Sequence, residues 1–417
     1  MTGVARRFTA GWVVPMDAPP IAGGAVLVGP DGRIAAVGPA ATVPLPPGVP
    51  EEACPGMVLL PGFINVHTHL ELTGLDGQVP EADFPAWIRH IIALKAGRTP
   101  ADFLAAARRG LQDCWAAGVT TVADTGDSGA VIQALAEAGG SGIAYHEVFG
   151  PHPAQADEAI ARAARRLDEL APFTSERVRL GLSPHAPYSV SGALYAHAAR
   201  LATARDLPLA VHLAESADES LLLAEATGGF ARAWEGRGIP LPPLPGRTPV
   251  AWLDQHGVLG SRTLCIHLVR VSAEDVTRLA RAGVAAAHCP RSNARHGHGA
   301  APLQALLGAG IRVGVGTDSV ASVAPLDLLA EARAARALAG LGAEAAFRLI
   351  TTGAACALGL EGEVGSLTPG LWGDVVAARL PPGTDASRIP DAVLSLGRDA
   401  IFLTCLAGRP RYRGERL

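Results

Sequence analysis

Two histidines separated by one residue, His67 and His69, lie in the stretch Pro61 to Glu71, which reads Pro-Gly-Phe-Ile-Asn-Val-His-Thr-His-Leu-Glu. The apolar residues Val58 to Leu60, with Phe63 and Ile64, predict a buried strand leading into them. Side chains alternate faces along a strand, so both imidazoles project to one side. Two imidazoles on a rigid element are half of a first-row metal site. The same spacing also arises among core and surface histidines, so the other half must be found elsewhere in the chain.

Further groups able to do chemistry follow one short apolar run after another. They are His146-Glu147, Ser183-Pro184-His185, His212 with Glu215, His267, His288 with Arg291 and Asn293, and Thr317-Asp318-Ser319. His67, His69, His212 and Asp318 make a set of three nitrogens and one carboxylate that leaves room for a water, as a catalytic divalent metal requires. A water on such a metal ionises near pH 7 and gives hydroxide without a strong base. Glu215, three residues after His212, is expected to reach that water without ligating the metal and to carry its proton to a substrate. His267 is expected to steady developing charge or the leaving group. His296-Gly-His298 repeats the opening spacing, but Gly297 and Gly299 make it a flexible loop, read as a substrate contact or a plain loop rather than a second metal site.

The elements that must carry these groups alternate. Eight strands are predicted at Val58 to His67, Thr120 to Thr125, Ile143 to Phe149, Val178 to Pro184, Leu207 to His212, Thr263 to His267, Val284 to His288 and Ile311 to Gly316. Helical periodicity lies between them, as in Asp102 to Ala117, Ala154 to Ala171 and Ala273 to Ala282. Eight strand-helix units imply an α/β fold, a distorted (β/α)8 TIM barrel, with its active site where the strands end. Residues 57–363 are expected to form this catalytic barrel. Residues 1–56 and 364–417 carry short β runs, with a hairpin signal at Asp31-Gly32, and are expected to join as a small β-sandwich domain built from both chain ends. Leu70 to Thr99 and Ala217 to Arg247 read as long loops, either lids and specificity loops or solvated insertions.

Composition narrows the function classes. Of 417 residues, 49% are hydrophobic and 18% charged, with a net charge of −4, which suits a globular enzyme and gives no electrostatic reason to expect nucleic acid or an anionic membrane as partner. No signal peptide or membrane-length apolar run is visible, so a cytoplasmic location is the default. The cysteines Cys54, Cys114, Cys265, Cys289, Cys356 and Cys405 form no Cys-x-x-Cys pair and read as small core residues. Lys95 is the only lysine.

The segments Pro61 to His69, His185-Ala-Pro-Tyr-Ser189, His212-Leu-Ala-Glu215, His267 and Gly316-Thr-Asp-Ser319, in this order, resemble the amidohydrolase superfamily in its mononuclear deaminase and chlorohydrolase branch. The resemblance implies that His67, His69, His212 and Asp318 ligate the metal and that Glu215, His267 and Asp318 act in proton transfer. It also implies that His185 holds the ribose side of a nucleoside, the alternative being a brace for its loop. A metal pair bridged by a carboxylated lysine is excluded, because the fourth strand has no lysine, and a cysteine-ligated zinc deaminase is excluded with it. His69-Leu-Glu71-Leu-Thr73 and His288-Cys-Pro-Arg291-Ser-Asn293 with His296-Gly-His298-Gly299 look closest to aminodeoxyfutalosine deaminases of menaquinone synthesis. Hydrolytic deamination at C6 of a 6-aminopurine nucleoside, with release of ammonia, is therefore expected. Glu71 and Ser319 are expected at the substrate, and Arg291, Arg295 or Arg89 at a carboxylate on its 5' side. Deamination of adenosylhomocysteine, methylthioadenosine, adenosine, guanine or aryl amines, and dechlorination, are the alternatives. A non-catalytic ligand-binding scaffold would predict an eroded metal set, and the set is intact. Zinc is the expected ion, with ferrous iron chemically allowed, and the chain is compatible with a homodimer.

Overall fold

A computed structural model describes residues 5–79, 83–242 and 246–415. The strand expected from Val58 to His67 is two strands that part at Gly62. Glu51–Pro61 belongs to a mixed sheet, where Leu59 pairs with Val13 in parallel and with Ala377 in antiparallel register. Phe63–Thr68 begins the barrel. Val58 to Pro61 and Phe63 to Thr68 are buried without interruption, so hydrophobic period gives no signal of the break between them.

The barrel strands are Phe63–Thr68, Val119–Gly126, Gly142–Val148, Val178–Pro184, Leu209–Leu213, Thr263–His267, Ala285–His288 and Arg312–Val315, neighbours in chain order. The last meets the first through a parallel bridge between Thr68 and Asp318 and a bond from the Asp318 N–H to the His67 carbonyl at 3.1 Å. Gly316 permits this approach: a Cβ there would stand 2.7 Å from the His67 nitrogen. Closure therefore brings the His-x-His strand end against the carboxylate 249 residues downstream of His69 in the chain.

The mixed sheet joins the two chain ends. Glu51–Pro61 runs parallel to Arg6–Val13 and antiparallel to Val375–Arg379, with Ile401–Leu406 and Arg409–Arg413 beyond one side and Gly24–Val28 and Ile34–Pro39 beyond the other. Gly24–Val28 and Ile34–Pro39 form the hairpin expected at Asp31-Gly32, where Gly32 has φ +83°. Phe8, Val13, Leu59, Val375, Phe402 and Leu403 form this sheet's core. By contact density the chain divides into Met1–Asn65 with Leu111–Val122 and Leu326–Leu417, and Val66–Gly110 with Ala123–Pro325. Every side chain of the site described below belongs to the second unit.

The two long connections are not loops. The first contains a turn of 3-10 helix at Leu70–Leu72 and the helix Phe84–Ala96, started by Asp83, whose side chain accepts from the Ala86 N–H at 2.9 Å. The second contains the helices Ala217–Glu225 and Gly228–Glu235. Phe84, Trp87, Ile88 and Ile91 recur at helical spacing, a signal masked by the Pro and Gly residues around it. Residues 80–82 and 243–245 of these connections lie outside the described residues. Five of the six cysteines are buried and all are free, as core residues should be. Among the described residues no helix is long and apolar enough to cross a membrane.

Candidate active site

The carboxyl ends of the barrel strands open into a cavity of about 700 Å³. At its base His67 is fully buried, its ring centroid 4.8 Å from His69 and 5.0 Å from His212. Asp318 Oδ1 lies 3.5 Å from Nε2 of both His67 and His69. Hydrogen bonds fix which nitrogen faces inward. His69 Nδ1 donates to the Thr125 carbonyl at 2.8 Å and His212 Nδ1 to the His185 carbonyl at 3.2 Å. Both Nε2 atoms are then bare acceptors, yet they stand 3.4 Å apart. Two lone pairs at that distance repel unless a cation lies between them. Nitrogens about 2.1 Å from a tetrahedral metal are themselves roughly 3.4 Å apart, so this donor set fits a divalent ion.

Burial keeps these imidazoles in the neutral form a metal needs: it lowers the His67 pKa to about 4 and depresses those of His69 and His212. For Asp318 burial acts to raise the pKa, but the bond to His67 and the surrounding imidazoles hold it well below the usual carboxylate range. Its Oδ2 accepts from the hydroxyls of Ser292 and, at 3.3 Å, Ser322, while Oδ1 accepts from the Ser319 N–H at 2.7 Å and faces the histidines. The sequence singles out neither serine in this role.

Glu215 stands on the other side of the base, 3.5 Å from His267 Nε2 and 3.4 Å from His298 Nε2. His267 Nδ1 donates to Asn293 Oδ1 at 2.9 Å, which turns Nε2 toward Glu215. Burial lifts the Glu215 pKa to about 7, so the group can take and give a proton near neutrality. The backbone is left-handed at Ala214 (φ +53°), His267 (φ +74°) and Asp318 (φ +57°), a costly conformation for non-glycine residues that clusters at functional sites. Glu219 holds the first of these turns: Oε1 accepts from the Ala214 N–H at 2.7 Å and Oε2 from the Glu215 N–H at 2.9 Å. Glu219 falls in a segment that reads as loop, and no motif marks it.

The other expected residues divide. His185 and Ser319 line the cavity with His69, His212, His267 and His296. His298 packs edge-on against Phe84 at 4.6 Å, so the Gly-rich loop enters the site. His146 faces smaller hollows on the outer side of its strand, and His288 is buried off the cavity. Glu71 does not share the face of His69, as a continued strand would require. The strand ends at Thr68, and the 3-10 turn sends Glu71 behind the wall, 1% exposed, where its carboxylate accepts from Lys95 Nζ at 2.7 Å and from the Ser128 hydroxyl. Arg291 and Arg295 also lie off the cavity, because Pro290–Arg295 is a helix that turns Ser292 and Asn293 inward instead. Arg89 does line it, and so does Arg237, which nothing in the sequence distinguishes from other arginines. The remaining wall is aromatic: Phe84, Trp87, Tyr188, Phe230 and Trp234, with Tyr188 and Phe230 stacked at 4.1 Å.

Comparison with known proteins agrees with this geometry. Residues 58–398 match the amidohydrolase family. The chain is 36% identical over 295 residues to the aminodeoxyfutalosine deaminase of Deinococcus radiodurans, covering 68% of this chain and 69% of that protein. It is 30% identical over 374 residues to the 5'-deoxyadenosine deaminase of Methanothermobacter thermautotrophicus, covering 87% and 82%. A crystal structure of an adenosine deaminase from Xanthomonas campestris with bound zinc superposes with a TM-score of 0.83 at 26% identity, covering 98% of this chain and 93% of the other. The chain belongs to the amidohydrolase family and is a hydrolase acting on C–N bonds.

Proposed function

We propose that this protein hydrolytically deaminates a 6-aminopurine nucleoside, with aminodeoxyfutalosine the substrate we favour and menaquinone synthesis its setting. The observation that carries the reading is Glu215, a buried carboxyl with its pKa lifted to about 7, set beside a His67, His69, His212 and Asp318 cluster at the floor of an aromatic-walled cavity. In this reading 57–363 is the catalytic barrel and 1–56 with 364–417 the accompanying β domain. The four clustered side chains hold one divalent ion, zinc by preference, which when bound supplies an activated water at neutral pH.

The chain's own groups do the rest. Glu215 moves protons between water, the ring nitrogen beside C6 and the leaving amine, and its nearly neutral pKa lets one group serve each transfer. His267, oriented by Asn293, turns Nε2 toward the reacting centre, where as an imidazolium it would steady charge that develops on the substrate. Asp318, held by Ser292 and Ser322, keeps one oxygen facing the reacting centre, and Ser319 beside it faces the cavity. The aromatic wall suits a flat ring, and Arg89 and Arg237 suit a carboxylate on the substrate's far end, the role first expected of Arg291. The similarity to aminodeoxyfutalosine and 5'-deoxyadenosine deaminases supports the class of substrate. Pure enzyme offered aminodeoxyfutalosine, methylthioadenosine, adenosine, guanine and a chlorotriazine should release ammonia from the first with by far the highest kcat/KM. Equal rates across the nucleosides would remove the preference for aminodeoxyfutalosine, and no ammonia from any would remove deamination.

A further inference from the structure

The chain's second His-x-His, His296-Gly297-His298, follows the helix Pro290–Arg295 and is shaped by how that helix ends. The Gly297 N–H donates to the Ala294 carbonyl at 3.1 Å and the His298 N–H to the Asn293 carbonyl at 2.9 Å, with Gly297 left-handed at φ +67°. These two bonds make a Schellman motif, which folds the second residue after the helix back onto its last turn. His298 is that residue, so its place is set by helix termination and is not that of a free loop. Its side chain is 5% exposed, and Phe84 packs edge-on against the ring at 4.6 Å.

Asn293 ties His298 to the proton carrier. Its carbonyl holds the His298 backbone, and its side chain accepts from His267 Nδ1 at 2.9 Å. The two imidazoles held by this one residue flank a single atom: Glu215 Oε1 lies 3.5 Å from His267 Nε2 and 3.4 Å from His298 Nε2. His298 Nε2 is buried and makes no hydrogen bond, and a small turn of the Glu215 carboxyl closes the gap to bonding distance. A nitrogen left dry is costly, so that turn is favoured. His296 points to the other carboxyl of the site: its Nε2 lies 3.2 Å from the Ser322 hydroxyl, which reaches Asp318 Oδ2 at 3.3 Å. His298 is not among the described residues that line the cavity, so it acts on a substrate only through Glu215. Burial, and then Arg270, lower its pKa to about 4, which keeps the ring neutral near pH 7.

We propose that His298 is a positioning residue for Glu215: its Nε2–H holds Oε1, and the other carboxyl oxygen is thereby directed to the reacting centre. This rests on Glu215 as the proton carrier, with the Gly-rich loop as the new element. His298→Leu removes the donor and keeps an apolar side chain of the kind this place in a Schellman motif commonly carries. His298→Gln offers an amide N–H of similar reach. On the nucleoside turned over fastest, His298→Leu should lose about 10- to 100-fold in kcat with KM within about threefold, and His298→Gln should recover most of the loss. In a Glu215→Gln background, which has no proton carrier to place, His298→Leu should cause no further loss.

The pairing also has a readout without turnover. In metal-stripped protein, the difference in Tm between chains with Glu215 and with Glu215→Gln, followed against pH, reads where Glu215 ionises. His298→Leu takes a donor from the ionised form and should move that midpoint up by about one pH unit, while His298→Gln leaves it in place. The other titratable groups around the pair are common to all variants: His267, Asp318, Glu219 and Tyr188 near Glu215, and His296, Arg270 and Asp218 near His298. Wild-type kcat in His298→Leu, an equal loss in both Glu215 backgrounds, or an unmoved midpoint would each overturn the role. His298→Gln behaving like His298→Leu would overturn it too, by leaving packing as the residue's only task. Should His298→Leu fail to fold, His298→Met takes its place. A shifted midpoint in a protein that releases no ammonia from any nucleoside would remove the deaminase reading and leave the pairing standing.

Discussion

Replacing Glu215 by glutamine should abolish turnover and at the same time stabilise the protein at alkaline pH. Burial lifts this carboxyl from 4.5 to about 7. At about 1.4 kcal/mol per pH unit, ionising it inside the fold costs roughly 3 kcal/mol. The sign follows from the direction of the change. A carboxyl whose pKa is higher folded than unfolded contributes its stability in full below about pH 4.5 and loses it as pH rises through about 7. The amide introduced by Glu215→Gln cannot ionise, so at pH 9 the metal-stripped variant should exceed the metal-stripped wild type by about 3 kcal/mol, or about 3 °C in Tm for a chain of this length, and the two should coincide near pH 4.5. Turnover of the loaded variant should fall by about 10² to 10⁴, because the amide cannot take up and release the proton that the carboxyl beside His267 carries. Thermal unfolding of stripped protein at several pH values, ammonia release and metal content are the assays. Wild-type turnover in the variant, or coincident melting curves at pH 9, would refute the assignment of Glu215 as a strained, buried proton carrier.

Glu219→Ala leaves the buried N–H groups of Ala214 and Glu215 without acceptors; we expect a loss of about 2–4 kcal/mol in stability and of about 10²-fold in kcat as the left-handed turn relaxes and Glu215 shifts, read by denaturant melts and kinetics. Lys95→Met strands the carboxylate of Glu71, which is 1% exposed, and should destabilise by about 3–5 kcal/mol with metal content intact. Arg89→Gln with Arg237→Gln should raise KM about tenfold or more for a carboxylated nucleoside and leave adenosine unchanged; an equal effect on both would show that these arginines do not read the carboxylate. Chelation should abolish ammonia release and lower Tm, and zinc should restore both, since an ion bound only to the folded state stabilises it by mass action.

Much of the site was legible without coordinates because its groups are punctuated by the barrel itself. Each apolar run ends in a polar residue, and eight such ends converge by the geometry of the fold, so His67, His69, His212, Glu215, His267 and Asp318 could be assigned to one place from type and order alone. Residues that act through backbone bonds left no such trace. Glu219, Ser292, Ser322 and Asn293 look like ordinary polar residues of loops and helix starts, and they acquire their task only when the chain folds them under Ala214, Asp318 and His267. The same holds for Glu71, whose direction depends on a single 3-10 turn that strand periodicity does not foresee.

The sequence by itself determined the fold class and the family and supplied the donor set proposed for the ion, because these depend on local alternation and on side-chain chemistry that no packing can change. Tertiary structure decided which arginines reach the cavity and that two apparent loops contain helices that supply part of its aromatic wall. Those facts are relations between segments far apart in the chain. Their geometry is set by barrel closure, where Gly316 lets the last strand approach His67, and not by any property of the segments alone.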